Sequence, residues 1–285
     1  MNIINLKLKE KTGIFEKICP YIKNKEVINV LFFTMIIFLI QLISGFIKDN
    51  GAKITFLEIL KNPLMFIIPL YSVIKKNKYF FLISVITMFL VVFITNLLGI
   101  PANFYNHRFE ILDKIDKYGI IISVLYFIPL VLIVKNYINK KVLSALFFGI
   151  IIAVFILVNF FYISKSAGYK IYSENNYNTY IMIGIVAYYI AALEEGFYRG
   201  YLLEKLLQNG YKVINVFIFT AVVQAVGIIL SDRFTRVNDD KGIVLFLFLM
   251  GSGMFYNYLY VKVGRNLCAG LLIRGTVLFL YFLSY

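Results

Sequence analysis

The chain has 285 residues, of which 61% are hydrophobic and only 15% charged, with a mean hydropathy of +0.82. Soluble domains are nearer about half apolar and about a quarter charged, so these figures exclude a water-soluble globule and a solvated disordered chain alike. The net charge of +14 would suggest nucleic acid in a soluble protein. Here the lysines and arginines fall in short clusters between apolar runs, as in loops beside an anionic membrane face, so the partner expected is the lipid bilayer and not nucleic acid.

Residues 1–26 form a basic tail carrying Lys7, Lys9, Lys11, Lys17, Lys23 and Lys25. It is too long and too mixed for a cleaved leader and is expected to stay in the cytoplasm, either solvated or lying on the inner leaflet through Ile14, Phe15 and Ile18. A bilayer core takes about 20 apolar residues in a helix. Runs of that kind follow at Val27–Ile47, Asn62–Ile74, Tyr79–Ile100 and Tyr118–Val134, then at Val142–Ile163, Thr179–Leu203, Val213–Leu230, Ile243–Val263 and Leu267–Leu283. The run at Asn62–Ile74 is short and spans fully only if Ile54–Leu60 joins it through Pro63. The expected fold is therefore all-α, a polytopic integral membrane bundle of eight to nine transmembrane helices.

Charge placement sets the expected topology. With the N-terminus inside, the inner segments hold the tail lysines, the Lys75–Lys78 cluster, Lys135, Lys140, Lys141, Lys205, Lys212, Lys262 and Arg265, with few acids beside them. The outer segments are near charge balance and include Asp113, Asp116, Asp232, Asp239 and Asp240. That asymmetry predicts a multi-pass protein of the plasma membrane, N-terminus cytoplasmic and C-terminus outside. No linker is long enough to divide residues 27–285, which read as a single membrane domain.

The two cysteines, Cys19 in the tail and Cys268 in an apolar run, give no basis for a disulfide framework. With one histidine, His107, in a predicted outer loop, no zinc site of the usual kind can be assembled, and no metal or cofactor is expected. Gly251 and Gly253 read as small residues for close helix packing. The outer cluster of Asp232, Asp239 and Asp240 with Arg233 and Arg236 reads as a solvated loop.

A charge near the bilayer centre costs about 2.5–3.5 kcal/mol, so each one needs a reason. Four stand out: Glu194, Glu195 and Arg199 in the sixth run and Arg274 in the ninth. On a helix Glu195 and Arg199 are four residues apart in the favourable order and can pair. Glu194 points about 100° away and has no partner on its own helix. A lone carboxylate in a low-dielectric setting suits a general base or acid; the alternative is that these charges merely reach the inner headgroups.

The stretch Glu194-Glu195-Gly-Phe-Tyr-Arg199-Gly200 resembles the EExxxR motif of the CAAX-protease and bacteriocin-processing family of glutamate-dependent intramembrane peptidases. The resemblance continues through Gly251, the tyrosines 256, 258 and 260, and Gly264-Arg-Asn-Leu267, covering about residues 180–280. It implies a water activated by the first glutamate and a histidine, and an oxyanion held by a second histidine and an asparagine. This chain departs at those partners. Gln224 falls where the first histidine is expected, Arg274 where the second is, and Leu278 where the asparagine is.

Glutamine can orient a water but cannot take its proton. Arg274 could donate to an oxyanion or form an ion pair with Glu194, since only Glu194 and Glu195 are acidic within the C-terminal apolar runs and Glu195 already has Arg199 in reach. The candidate catalytic residues are thus Glu194 and Glu195, in a polar cavity near the inner leaflet lined also by Arg199, Gln224, Arg274 and Leu278. The reading this supports is a degenerate protease that binds a membrane protein or peptide, in bacteriocin immunity or in control of a membrane enzyme, in a bacterial setting. The alternatives are an active intramembrane endopeptidase with Glu194 as base, and a transporter using the buried charges as a relay. Nothing in the sequence indicates the repeated halves a transporter of this kind would show.

Overall fold

The structure, a computed structural model, describes residues 142–167, 177–232 and 239–283, together with isolated helical positions between 28 and 131. The basic tail, His107, the bulk of the first four apolar runs and the Arg233 and Arg236 pair lie outside the described residues. The helices are α1 (Val142–Ala167), α2 (Tyr177–Glu195), a π-helical segment (Gly196–Leu203), α3 (Glu204–Gln208), α4 (Val213–Asp232), α5 (Asp239–Lys262) and α6 (Cys268–Leu283). Among the described residues there is no strand. Three helical stretches are long and apolar enough to cross a membrane: Val142–Tyr162, Tyr180–Gln208 and Ile243–Lys262. Val213–Ile229 and Cys268–Leu283 are shorter apolar helices.

The central rod is α2, the π segment and α3 in continuous succession. All residues of 191–199 are buried, as are seven of the eight residues of the π segment, so the middle of this rod has packing on every side. In the π segment the backbone bond is made five residues back: the Glu204 N–H donates to the Arg199 carbonyl. The α6 helix lies between α1 and α2, and α4 packs along α5.

Small residues set the approach distances. On α1 the buried edge is Ala145, Gly149 and Ala153, each four residues on, with Leu143, Phe147, Phe155, Val158 and Tyr162 exposed on the remainder. A Cβ on Gly149 would lie 3.0 Å from the Ala269 Cα, so the bare backbone there allows α1 and α6 to close. Gly253 does the same between α5 and α4, where a Cβ would sit 3.1 Å from the Ala221 Cα. Gly251, expected to pack likewise, is exposed with open space around it.

The turn between α5 and α6 closes one end of this bundle. The α5–α6 turn has Gly264 (φ 81°) followed by Arg265 (φ 61°), with the Arg265 N–H donating to Tyr260 O at 2.8 Å and the Gly264 N–H to Val261 O at 3.1 Å. These are the two bonds of a Schellman stop, which satisfies the last carbonyls of α5. Asn266, fully buried, then accepts the Cys268 N–H at 2.9 Å and caps α6. Cys268 is a buried free thiol.

Candidate functional site

The continuous rod presents Glu194, Glu195 and Arg199 at mid-bundle, and the neighbouring helices bring Gln224 (α4), Gly253 and Tyr256 (α5) and Gly270 and Arg274 (α6) to them. Burial of so many polar groups is tolerable only if they satisfy one another. They do so in two groups.

The first group surrounds Arg199, which is 0% exposed. Its Nη1 donates to Glu195 Oε1 at 3.1 Å, the i,i+4 ion pair expected from the spacing. Its Nη2 donates to Gln224 Oε1 at 2.6 Å and to the Gly253 carbonyl at 3.3 Å. The guanidinium also lies 5.2 Å from the Tyr256 ring centroid and 6.0 Å from that of Tyr198, within cation–π range. Gly253 thereby serves twice, in helix approach and as an acceptor. Glu195 rests on the backbone of α6: a Cβ on Gly270 would fall on Glu195 Oε2. Arg199 Nε, Thr220 Oγ1 and Asn257 Oδ1 are buried without a hydrogen-bond partner among the described residues.

The second group lies nearer the edge. Arg274 Nε donates to Glu194 Oε2 at 2.8 Å, with the two side chains 11% and 12% exposed. The cross-helix ion pair inferred from the scarcity of acids in the apolar runs is therefore present. It depends on the antiparallel packing of α2 and α6, in which Glu195 faces Gly270, Glu194 faces Arg274, and the Tyr188 ring lies over Gly275. Thr276 donates to Leu272 O at 2.8 Å, which leaves the Tyr188 hydroxyl to donate to Thr276 Oγ1 at 3.2 Å.

Of the residues expected in the site, Glu194, Glu195, Arg199, Gln224 and Arg274 are gathered by the fold. Leu278 sits one turn beyond Arg274, buried, and brings no polar atom. The residues that sequence reasoning passed over are Gly270, Tyr256 as a face over Arg199, and the turn cluster of Glu204. Glu204 accepts from Arg265 Nη1 at 3.0 Å, Gln208 Nε2 at 2.9 Å and the Tyr260 hydroxyl at 3.2 Å. Among the described residues no three metal-ligating side chains gather in one place.

Chemically, the Arg199 group is a closed network in which the carboxylate and the Gln224 carbonyl are both engaged by one cation. The Glu194–Arg274 pair is the more exposed of the two. A family model described as Type II CAAX prenyl endopeptidase Rce1-like matches residues 176–279. No curated protein and no solved structure matches the chain. The matched segment runs from the start of α2 nearly to the end of α6 and holds both polar groups, and over it the chain is similar to the CAAX prenyl endopeptidase family.

Proposed function

We propose that this chain is a multi-pass CAAX-protease-like protein of the plasma membrane that lacks full catalytic equipment and acts by binding a membrane protein or peptide. Bacteriocin immunity and control of a membrane-bound enzyme are the roles that fit such a scaffold. The observation that carries this reading is the Arg274–Glu194 ion pair at 2.8 Å. The Glu194 oxygen that accepts from Arg274 is already engaged and is not at hand to take a proton from water. Gln224 supports the same reading, because its carbonyl oxygen is taken by Arg199 and an amide cannot accept a proton from water. With the basic tail and the Lys75–Lys78 cluster placed inside, the N-terminus is cytoplasmic and the C-terminus outside.

One observation favours a second reading, an active endopeptidase with Glu194 as base. Glu194 retains 12% exposure while Glu195 has 1%, so Glu194 is the carboxylate that a substrate could reach. A single experiment separates the two. The full chain in proteoliposomes is given a prenylated C-terminal peptide, with binding and hydrolysis both measured. The scaffold reading expects binding without hydrolysis and a Glu194→Gln variant whose affinity stays within about twofold. Hydrolysis that Glu194→Gln abolishes would establish the endopeptidase instead.

A further inference from the structure

The end of the described bundle closed by the α5–α6 turn carries a surface that neither polar group uses. Four cations from separate elements lie there: Lys205 on α3, Lys212 in the α3–α4 turn, Lys262 as the last residue of α5, and Arg265 in the α5–α6 turn. Among the described residues Glu204 is the one acid at this end, and it already accepts from Arg265, Gln208 and Tyr260. At the opposite end of α4 and α5 the sequence is charge-balanced, with Asp232, Asp239 and Asp240 against Arg233, Arg236 and Lys241.

Helix register sets two of the lysines at one level. Gly253 meets Ala221 and Gln224, and Asn257 donates to Phe217 O at 3.0 Å, so α4 and α5 run antiparallel. One more turn sets Val261 and Lys262 level with Lys212 and Val213, and Val216, Tyr211 and Val261 do share one apolar cluster. Both lysines are exposed. On the adjoining turns Ile214 (55% exposed) and Ile218 (44%) of α4 and Tyr258 (54%) of α5 present an apolar wall. A cationic rim above an exposed apolar wall at the end of two membrane-type helices matches one molecule in shape and charge, a phospholipid with an anionic headgroup.

We infer that Lys212 and Lys262 hold the headgroup of an anionic phospholipid whose acyl chains lie against Ile214, Ile218 and Tyr258. This lipid seat is independent of whether Glu194 is catalytic. It joins the start of α4 to the end of α5, the two helices that supply Gln224 and Gly253 to Arg199.

The test uses the full chain in an uncharged detergent, with thermal unfolding followed by circular dichroism. Phosphatidylglycerol, phosphatidylcholine of the same acyl composition, and glycerol phosphate are added in turn. Phosphatidylglycerol at tenfold excess over its Kd should raise the midpoint by about 3 °C, and the other two should raise it far less. The Lys212→Gln/Lys262→Gln variant should keep its midpoint without lipid, both side chains being exposed, and lose the phosphatidylglycerol shift. Lys212→Arg/Lys262→Arg should retain the shift. If the double glutamine variant does not fold, Lys262→Gln alone should at least halve it. An equal shift with phosphatidylcholine, an equal shift with glycerol phosphate, or a phosphatidylglycerol shift that survives loss of the lysines overturns the assignment.

Discussion

Replacing Glu195 by glutamine removes a charge from the most enclosed part of the bundle while keeping side-chain shape. Arg199 and Glu195 are 0% and 1% exposed, so no water is at hand to take over from the carboxylate. Stranding one member of a buried pair costs about 3–5 kcal/mol. Arg199 would keep the Gln224 carbonyl at 2.6 Å, the Gly253 carbonyl at 3.3 Å and the Tyr256 face, and an amide oxygen could still accept from Nη1. These contacts hold the loss to the lower end of that range, about 3 kcal/mol, or about 6 °C in midpoint for a chain of this size. Glu194→Gln breaks a pair whose members are 12% and 11% exposed and partly screened by solvent, so its loss is about 1–2 kcal/mol. Thermal unfolding in detergent, followed by circular dichroism at matched protein and lipid content, compares the two variants directly. An equal or larger loss in Glu194→Gln, or a loss under about 1 kcal/mol in Glu195→Gln, would refute the reasoning from enclosure.

Gly270→Ala should destabilise by about 1–3 kcal/mol because its Cβ falls on the Glu195 carboxylate, and most of that loss should vanish in a Glu195→Ala background. An additive pair of losses in thermal unfolding would contradict this. Thr220→Val should leave stability unchanged or raise it by about 1 kcal/mol, since the buried hydroxyl has no partner among the described residues and valine fills the same volume; a clear fall in midpoint counts against it. In a cycle of Arg274→Leu, Glu194→Leu and the double variant, the coupling should be about 1–3 kcal/mol, with the double variant more stable than either single one. Additive losses would show that the pair contributes nothing as a pair.

How far the sequence foretold this arrangement depends on the physical scale involved. Long apolar runs report helices well: the runs beginning at Val142, Val213 and Ile243 and ending at Leu283 fall on α1, α4, α5 and α6, with boundaries shifted by a few residues. Spacing alone foretold the Glu195–Arg199 pair, and counting the acids left over in apolar runs foretold Arg274 with Glu194. The π segment was not legible, because Gly196–Leu203 has the same apolar content either way and its extra residue per turn shows only in the backbone bonds. Nor was Gly270, a glycine among apolar residues whose meaning comes from Glu195 on another helix. Gln224 reads in sequence as a substitution for a proton acceptor. In the fold it is also a ligand of Arg199, which only the crossing of α4 with the central rod could reveal. The eight to nine spans foreseen in the sequence meet three described helices of spanning length and two shorter apolar ones.

The most direct measurement of the central claim is turnover with the full chain in molar excess over a prenylated C-terminal peptide in proteoliposomes, the products identified by mass spectrometry. Because Glu194 is held by Arg274 and Gln224 by Arg199, the account predicts bound, uncut peptide after prolonged incubation. Cleavage at a defined bond by the unmodified protein, absent from Glu194→Gln, would contradict it.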